Sequence, residues 1–266
     1  MSGLADLSGK AAVVTGGASG IGRGIAERLI AAGSDVTIAD IDASAVAETA
    51  AQIGAIPQTV DVRDAVSVQA LADAVLARYG RIDILVNNAG VGPLAPITEL
   101  TLEDFHWVLD INLIGVVNGI KIFLPLLLAN PEGGHIVNTA SMAGLMNGPG
   151  MGAYAASKAA VVAITEVLAA ELEAEGSKVG ASVLTPALVR SNIGANAQKR
   201  PGKKGDLTGD NSAHLPPGRM LEAAEVGDLV VGAIRHGDLY IVTHPEDLPL
   251  VKARHERIER AFTEGG

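Results

Sequence analysis

The sequence contains no cysteine among its 266 residues, so disulfides, thiolate metal ligands and a cysteine nucleophile are excluded. Aromatic residues are also scarce, at 3%. The core must therefore be built from Ala, Val, Ile and Leu, a composition typical of parallel strands that are buried on both faces. The six histidines are scattered, and their spacing predicts no metal site.

Positive charge is in deficit, since the formal net charge is −10 and the pI is about 5.0. This balance argues against a nucleic-acid partner and against docking on an anionic membrane. The N-terminal residues 1–10 lack the apolar region of a secretory signal. No window is expected to approach a membrane span, because Gly, Pro or charge interrupts the longest candidates. We therefore expect a soluble, cytoplasmic protein.

Short apolar runs alternate with helical patterns along the whole chain. The predicted strands are 11–15, 35–40, 56–62, 82–88, 134–141, 180–186 and 238–243. The predicted helices include 20–32, 64–79, 103–129, 152–175 and 222–236. This alternation predicts an α/β fold with a doubly wound parallel sheet. Because no linker interrupts it, residues 1–266 are expected to form a single domain.

Two segments depart from this rhythm. Residues 190–220 are polar, rich in Gly and Pro and locally basic, and they follow the end of a predicted strand. Such an insertion predicts a substrate lid, with its basic run 199–204 either solvated or, less favoured, gripping an anionic substrate. Residues 244–266 are expected to form a C-terminal tail helix, in which His244 has a capping or surface role or, as an alternative, reaches the pocket.

A glycine-rich stretch, TGGASGIG at 15–22, lies between the first strand and the first helix. Such a turn lets backbone approach a pyrophosphate and aims helix N–H groups at it, although a purely structural turn would look the same. The second strand ends at Asp40, where a carboxylate accepts hydrogen bonds from ribose hydroxyls and repels a 2′-phosphate. Neither Ser19 nor Ile41 offers a positive charge, so NAD is favoured over NADP.

Tyr154 and Lys158 stand four residues apart in a run of small apolar residues. On a helix this spacing puts them on one face. Taken alone, the pair is more typical of a half-buried helix with a snorkelling lysine and a tyrosine at its rim.

Together, TGGASGIG at 15–22, NNAG at 87–90, Asn112, Ser141 and Tyr154-Ala-Ala-Ser-Lys158 resemble the short-chain dehydrogenase/reductases in their short form. The resemblance covers about residues 6–243. It implies a Rossmann fold with a seven-stranded parallel sheet. It also implies a homotetramer, or as second choice a dimer, because the family's long helices pair across subunits.

The resemblance further implies which residues react. Tyr154 would act as the base, with Lys158 and the positive nicotinamide ring lowering its pKa from about 10 towards working pH. Ser141 would orient the substrate oxygen. Asn112 would hold a water in a proton relay, or would simply be a buried polar group in a helix.

The resemblance also assigns the residues that contact the cofactor. These are Gly16, Ser19, Gly20, Ile21, Gly22, Asp40, Asp61, Val62, Asn88, Ala89, Gly90, Tyr154, Lys158, Pro186, Val189 and Ser191. Two positions depart from the family's pattern, because Ala187 replaces a glycine and Ser191 replaces a threonine. The serine can make the same hydrogen bond, but Ala187 cannot adopt positive φ cheaply, which puts the local backbone in question.

The expected substrate walls carry the apolar, adaptable residues Met142, Leu145, Met146, Met151 and Leu188. They favour a fairly large apolar or aromatic alcohol or ketone, unless they only fill gaps in the core. The predicted function is hydride transfer between NAD and a secondary alcohol or ketone. One alternative is a 3-oxoacyl thioester reductase, against which Asp40 and the negative charge both count. Another is a non-catalytic NAD sensor, which would not need the tyrosine–lysine pair.

Overall fold

The computed structural model describes residues 3–190 and 219–263. Within these ranges one parallel sheet has the order β3-β2-β1-β4-β5-β6-β7. Its strands are β1 (Ala11–Thr15), β2 (Asp35–Asp40), β3 (Ile56–Thr59), β4 (Ile84–Asn87), β5 (Gly134–Thr139), β6 (Val179–Thr185) and β7 (Tyr240–Val242). The order reverses between β1 and β4, so the predicted doubly wound α/β fold in one domain is confirmed.

The helices connect successive strands and follow the predicted pattern closely. They are α1 (Gly20–Ala31), α2 (Ala43–Ile53), α3 (Ala65–Tyr79), α4 (Leu102–Leu109), α5 (Gly115–Leu128), α6 (Met142–Leu145), α7 (Gly152–Ala174), α8 (Ala223–His236) and α9 (Leu248–Thr263). A π-helical turn, Asp110–Ile114, joins α4 directly to α5.

Two apolar cores lie on opposite faces of the sheet. Helices α1, α2 and α8 cover one face, where Ile25, Leu29 and Ile234 pack on β1 and its neighbours. Helices α3, α5 and α7 cover the other face, with Phe123 and Leu127 among its fully buried side chains. Successive residues of each strand point to opposite faces, so both cores draw on every central strand, as the near-continuous apolar runs predict.

Two helical stretches, Leu102–Leu128 and Gly152–Ala174, are long and apolar enough by length and composition to cross a membrane. The prediction that no window approaches such a span is therefore wrong. Gly115 and Pro125 lie inside the first stretch, which the π-turn keeps helical throughout. Only 39% and 50% of their most apolar windows are buried against the rest of the chain. Much of their apolar surface therefore faces outward.

The C-terminal tail separates into two parts. His244 is 2% exposed, which contradicts its expected surface role. Helix α9, in contrast, contains no buried residue, and its Phe262 is 87% exposed. The predicted tail helix is thus present, but it begins four residues after the histidine.

Candidate active site

The glycine-rich turn between β1 and α1 needs its glycines for backbone reasons. Gly16 has φ +64° and Gly20 has φ +52°, in the left-handed region that only glycine adopts cheaply. A Cβ on Gly16 would lie 2.8 Å from the Cα of Ala89. The turn therefore packs directly on the backbone that follows β4.

The start of α1 offers hydrogen-bond donors to this turn. Ser19 precedes the helix and its side chain makes no capping hydrogen bond. The N–H groups of the first turn have no partner within the helix, and Gly20 and Ile21 line the adjacent cavity. Such donors, at the positive end of a helix dipole, suit a pyrophosphate.

A cavity of about 390 Å³ runs from Asp40 past this turn to Tyr154. Most of the predicted cofactor residues line it: Gly16, Ser19, Gly20, Ile21, Asp40, Asp61, Val62, Asn88, Ala89, Gly90, Tyr154, Lys158 and Pro186. Gly22 instead packs beneath the turn, where a Cβ would meet the Gly16 carbonyl at 2.2 Å. Val189 pairs with Leu221, and Ser191 lies outside the described residues.

The end of the cavity beside β2 and β3 is acidic and held by hydrogen bonds. The Asp40 carboxylate accepts from Ala18 N at 3.3 Å and from Asp42 N at 3.2 Å. Asp61 accepts from Arg63 Nε at 2.9 Å and Arg63 Nη2 at 2.6 Å, and this guanidinium holds the pKa of Asp61 below its usual value.

Arg63 itself lines the cavity and is a residue that the sequence analysis missed. The signal available was its position directly after the predicted cofactor contacts Asp61 and Val62. Because Asp61 binds it in a bidentate pair, much of its positive charge is neutralised at this end.

The other end of the cavity carries the predicted reacting residues. Tyr154 and Lys158 lie one turn apart near the start of α7, and Lys158 Nζ is 5.8 Å from the centre of the tyrosine ring. Lys158 Nζ donates to Thr139 O at 2.8 Å. Ser141, after the end of β5, donates to Pro186 O at 3.2 Å and accepts from Ala143 N at 3.1 Å. The structure thus brings the three side chains together around the end of β5.

Burial dominates the electrostatics of this end. It raises the pKa of Tyr154, and a hydrogen bond with Ser141 opposes the rise only in part. Burial also lowers the pKa of Lys158 to about 8. Burial thus opposes the lowering of the phenol pKa that was expected from Lys158 and the nicotinamide ring, and that lowering stays a prediction.

Asn112 lies in the π-turn and is completely buried. Its Oδ1 accepts from Val91 N at 2.8 Å, and its Nδ2 donates to Val91 O at 2.9 Å and to Ser157 Oγ at 3.0 Å. A Cβ on Gly90 would lie 3.3 Å from Asn112 Oδ1 and 3.5 Å from Lys158 Nζ. Asn112 therefore has the contacts of a buried structural amide and, like Lys158, lies beside Gly90, while its water relay stays a prediction.

The predicted substrate residues lie beside the cavity rather than in its wall. Met142 is buried at the start of α6, and Leu145 packs on the sheet. Met151 belongs to an apolar cluster on which Tyr154 packs, and it borders a second, shallow cavity of about 610 Å³. Met146 and Leu188 are half-buried.

Apolar lining of the main cavity comes instead from Val91, Trp107 and Ile111. The last two come from α4 and the π-turn, which no short sequence motif marks. The replacement of glycine by Ala187 causes no left-handed strain, since none of the described non-glycine residues has positive φ. Within the same ranges, no group of three or more His, Cys, Asp or Glu residues could hold a metal ion.

Comparison with known proteins agrees with this geometry. A family model described as short chain dehydrogenase matches residues 10–202. A solved short-chain dehydrogenase/reductase from Burkholderia phymatum, in complex with NAD, superposes with a TM-score of 0.91 and 39% identity, covering 96% of each chain.

Two relatives of known name match over most of their length. A "CLA biosynthesis dehydrogenase/reductase" of Lactiplantibacillus plantarum is 32% identical over 98% of this chain and 96% of the relative. A "C alpha-dehydrogenase" of a Sphingobium species is 34% identical over 91% of this chain and 83% of the relative.

Proposed function

The chain belongs to the short-chain dehydrogenase family, an oxidoreductase family, and from this membership we propose that it transfers a hydride between NAD and a secondary alcohol or ketone. The observation that carries the proposal is the single cavity that joins Asp40 and the start of α1 to Tyr154 and Lys158. Its two ends fit the two halves of a dinucleotide. The similar structure from Burkholderia phymatum, which was solved with NAD, supports the choice of cofactor.

The binding half of the mechanism uses backbone and carboxylate. First-turn N–H groups of α1 hold the pyrophosphate, and Asp40 accepts hydrogen bonds from the adenosine ribose. Asp40 repels an additional phosphate at that position, which favours NAD over NADP. Val62 and the Asp61–Arg63 pair form the wall next to the adenine.

The reacting half uses the buried Ser141 and Lys158 and the partly buried Tyr154. NAD, when bound, supplies the hydride acceptor or, in its reduced form, the donor. In the direction of ketone reduction, the neutral Tyr154 phenol gives its proton to the substrate oxygen, and its raised pKa keeps that proton available. Ser141 Oγ turns from Pro186 O to the substrate oxygen and stabilises its developing charge. In the oxidation direction, Lys158 favours the phenolate that takes the proton back.

The substrate is a fairly large apolar or aromatic alcohol or ketone. Val91, Trp107 and Ile111 provide an apolar lining in the same cavity as Tyr154, and the apolar cluster on which that tyrosine packs includes Met151. Both relatives, the CLA biosynthesis dehydrogenase/reductase and the C alpha-dehydrogenase, carry the word dehydrogenase in their names. This supports hydride transfer as the reaction class.

We also propose that the protein works as a cytoplasmic homotetramer, with a dimer as the alternative. The apolar outward faces of α5 and α7 support this, since Leu128 and Val167 are large and exposed. A Val167→Glu substitution should reduce the mass found by light scattering. A wild-type monomer at micromolar concentration would contradict the proposal.

The test of the proposed function is NADH absorbance with purified protein, NAD and a panel of secondary alcohols, in parallel with NADP. Turnover should occur with NAD, and Tyr154→Phe should lower it by about 10²- to 10⁴-fold while NAD still binds. Asp40→Ser should shift the preference towards NADP. Faster wild-type turnover with NADP would refute the role of Asp40, and undiminished turnover in Tyr154→Phe would refute the mechanism.

A further inference from the structure

Two short backbone segments, 187–190 and 219–222, pair with each other, and we call them the neck. They lie beside the end of the cavity that Tyr154 and Pro186 line, where the nicotinamide would bind. Val189 forms a parallel bridge with Leu221. Leu221 N donates to Leu188 O at 3.0 Å, and Arg190 N donates to Leu221 O at 3.0 Å. The first neck segment directly follows Pro186, which lines the cavity.

Pro186 is also tied to the reacting residues. Its carbonyl accepts from Ser141 Oγ at 3.2 Å and from Met142 N at 2.9 Å. A shift of the neck therefore moves the backbone on which Ser141 rests.

From the end of the sheet, His244 contacts the second segment of the neck directly and the first segment through Thr243. Its Nε2 lies 2.8 Å from Arg219 O, in the second segment. Its Nδ1 lies 2.7 Å from Thr243 Oγ1, and that hydroxyl accepts from Ala187 N, in the first segment, at 3.2 Å. The buried imidazole and hydroxyl thus bridge the two segments by side-chain hydrogen bonds, in addition to their backbone pairing.

The partners fix the tautomer of this histidine. A carbonyl oxygen only accepts, so Nε2 must carry a hydrogen in order to bond Arg219 O. Nδ1 is then an acceptor in the neutral ring, and the Thr243 hydroxyl donates to it. The result is one directed chain, from Ala187 N–H through Thr243 and His244 to the Arg219 carbonyl.

We propose that His244 is a positioning residue for the cofactor, since it holds the neck in place and thereby shapes the nicotinamide end of the cavity. This inference rests on the proposed function, because it needs nicotinamide to lie beside Pro186. The hydrogen bonds that run from Ala187 through Thr243 and His244 to Arg219 all lie at that end. Asp40 and the start of α1 lie at the far end of the same cavity. Among the described residues, neither of them is hydrogen-bonded to Ala187, Thr243, His244 or Arg219.

The location of these hydrogen bonds at one end of the cavity gives a sharp test. Calorimetry measures the dissociation constants of NAD and of ADP-ribose for the full chain. ADP-ribose lacks only the nicotinamide ring, so it reports on every contact of NAD except those of that ring. His244→Ala should weaken NAD binding about tenfold, as the loss of a buried hydrogen-bond bridge predicts, and should change ADP-ribose binding less than twofold. His236→Gln, at an exposed histidine of α8, is the matched control and should change neither constant.

If the His244→Ala protein does not fold, two conservative variants test the two hydrogen bonds of His244 one at a time. His244→Gln places an amide near Nε2 and keeps the bond to Arg219 O, whereas His244→Asn places one near Nδ1 and keeps the bond to Thr243. Each should weaken NAD binding by an intermediate factor. Nitrogen-15 NMR of the wild-type imidazole should show the Nε2–H tautomer.

The outcomes separate the inference from the proposed function. Unchanged NAD binding in the His244 variants, or equal weakening of NAD and ADP-ribose, would overturn the positioning role alone. An Nδ1–H tautomer would overturn the directed chain. Wild-type protein that binds neither ligand would overturn the proposed function and, with it, the role of His244.

Discussion

The two edges of the sheet each bury an ionisable group, and they treat it in opposite ways. At the amino edge, the carboxylate of Asp83 is 0% exposed in a ring of donors. It accepts from Ala11 N at 2.9 Å, from Arg81 Nε at 2.8 Å and Nη2 at 2.6 Å, and from Asn130 Nδ2 at 2.8 Å. Its charge is fully compensated.

At the carboxyl edge, Lys158 is 3% exposed. Its ammonium donates to Thr139 O, and no salt bridge within residues 3–190 and 219–263 reaches it. This is why burial lowers the pKa of Lys158 to about 8. The charge at this edge is held at a cost in folding free energy.

The difference teaches where this chain places its chemistry. A paired buried charge ties strand ends together, whereas a poorly compensated one can change protonation state or act on a bound substrate. Substitutions at either edge test this comparison. We expect a substitution at the carboxyl edge to change turnover and one at the amino edge to change stability.

The largest effect is expected from Lys158→Met. Turnover should fall at least about 100-fold, because the charge beside Tyr154 is lost. The melting temperature should rise, because an apolar side chain replaces a desolvated ammonium. Steady-state kinetics and thermal unfolding at pH 7 measure the two quantities.

The pH dependence of this variant gives its control. Since the pKa of Lys158 is lower in the folded than in the unfolded chain, the unfolded chain binds the extra proton between pH about 8 and 10.5. The stability of the wild type should therefore rise relative to that of the variant as pH rises through that window. Below pH 8 the variant should exceed the wild type in stability by the full difference. A constant gap from pH 7 to 10.5 would contradict a buried, destabilising ammonium.

Asp83→Asn should give the next largest effect, in stability instead of catalysis. The free energy of unfolding should fall by about 2 kcal/mol, less than for a fully buried ion pair because Arg81 is partly exposed. Urea denaturation measures it. At 25 °C the kcat/KM of the folded enzyme should stay within about twofold, since the two edges share no partners. A loss of turnover without a loss of stability would reverse the assignment of the edges.

The smallest effect is expected from Glu132→Gln at the exposed rim of the same cluster. Arg81 and Lys10 bind this carboxylate and lower its pKa to about 2. Its contribution to stability is therefore present above pH 4.5 and is lost as pH falls towards 2. The melting temperature should drop slightly at pH 7, less at high salt, and wild type and variant should converge on acidification. A larger drop than for Asp83→Asn would contradict the comparison.

The sheet and its site were predictable to different depths. Apolar runs placed all seven strands and the main helices, since both faces of a parallel sheet must be apolar. The strand ends were less accurate: β3 ends at Thr59 rather than at residue 62. The glycine turn, Asp40 and the Tyr154–Lys158 spacing lie on contiguous sequence, so local rules reach them.

Features made by distant segments escaped prediction. The bonds of Asn112 to the backbone of Val91 depend on a π-turn, and the bridge through His244 joins residues 187, 219, 243 and 244. The prediction for the pKa of Tyr154 considered Lys158 and the nicotinamide ring but not burial, which raises this pKa and depends on packing by the whole fold. No local pattern contains that information.

Trp107 is the single tryptophan of the chain, is 8% exposed and lines the cavity. The indole fluorescence of the protein therefore originates at the wall of one site. A reduced nicotinamide near that indole would absorb its emitted energy and quench it. A chain that has no thiol for a dye thus carries its own optical reporter of what enters the cavity.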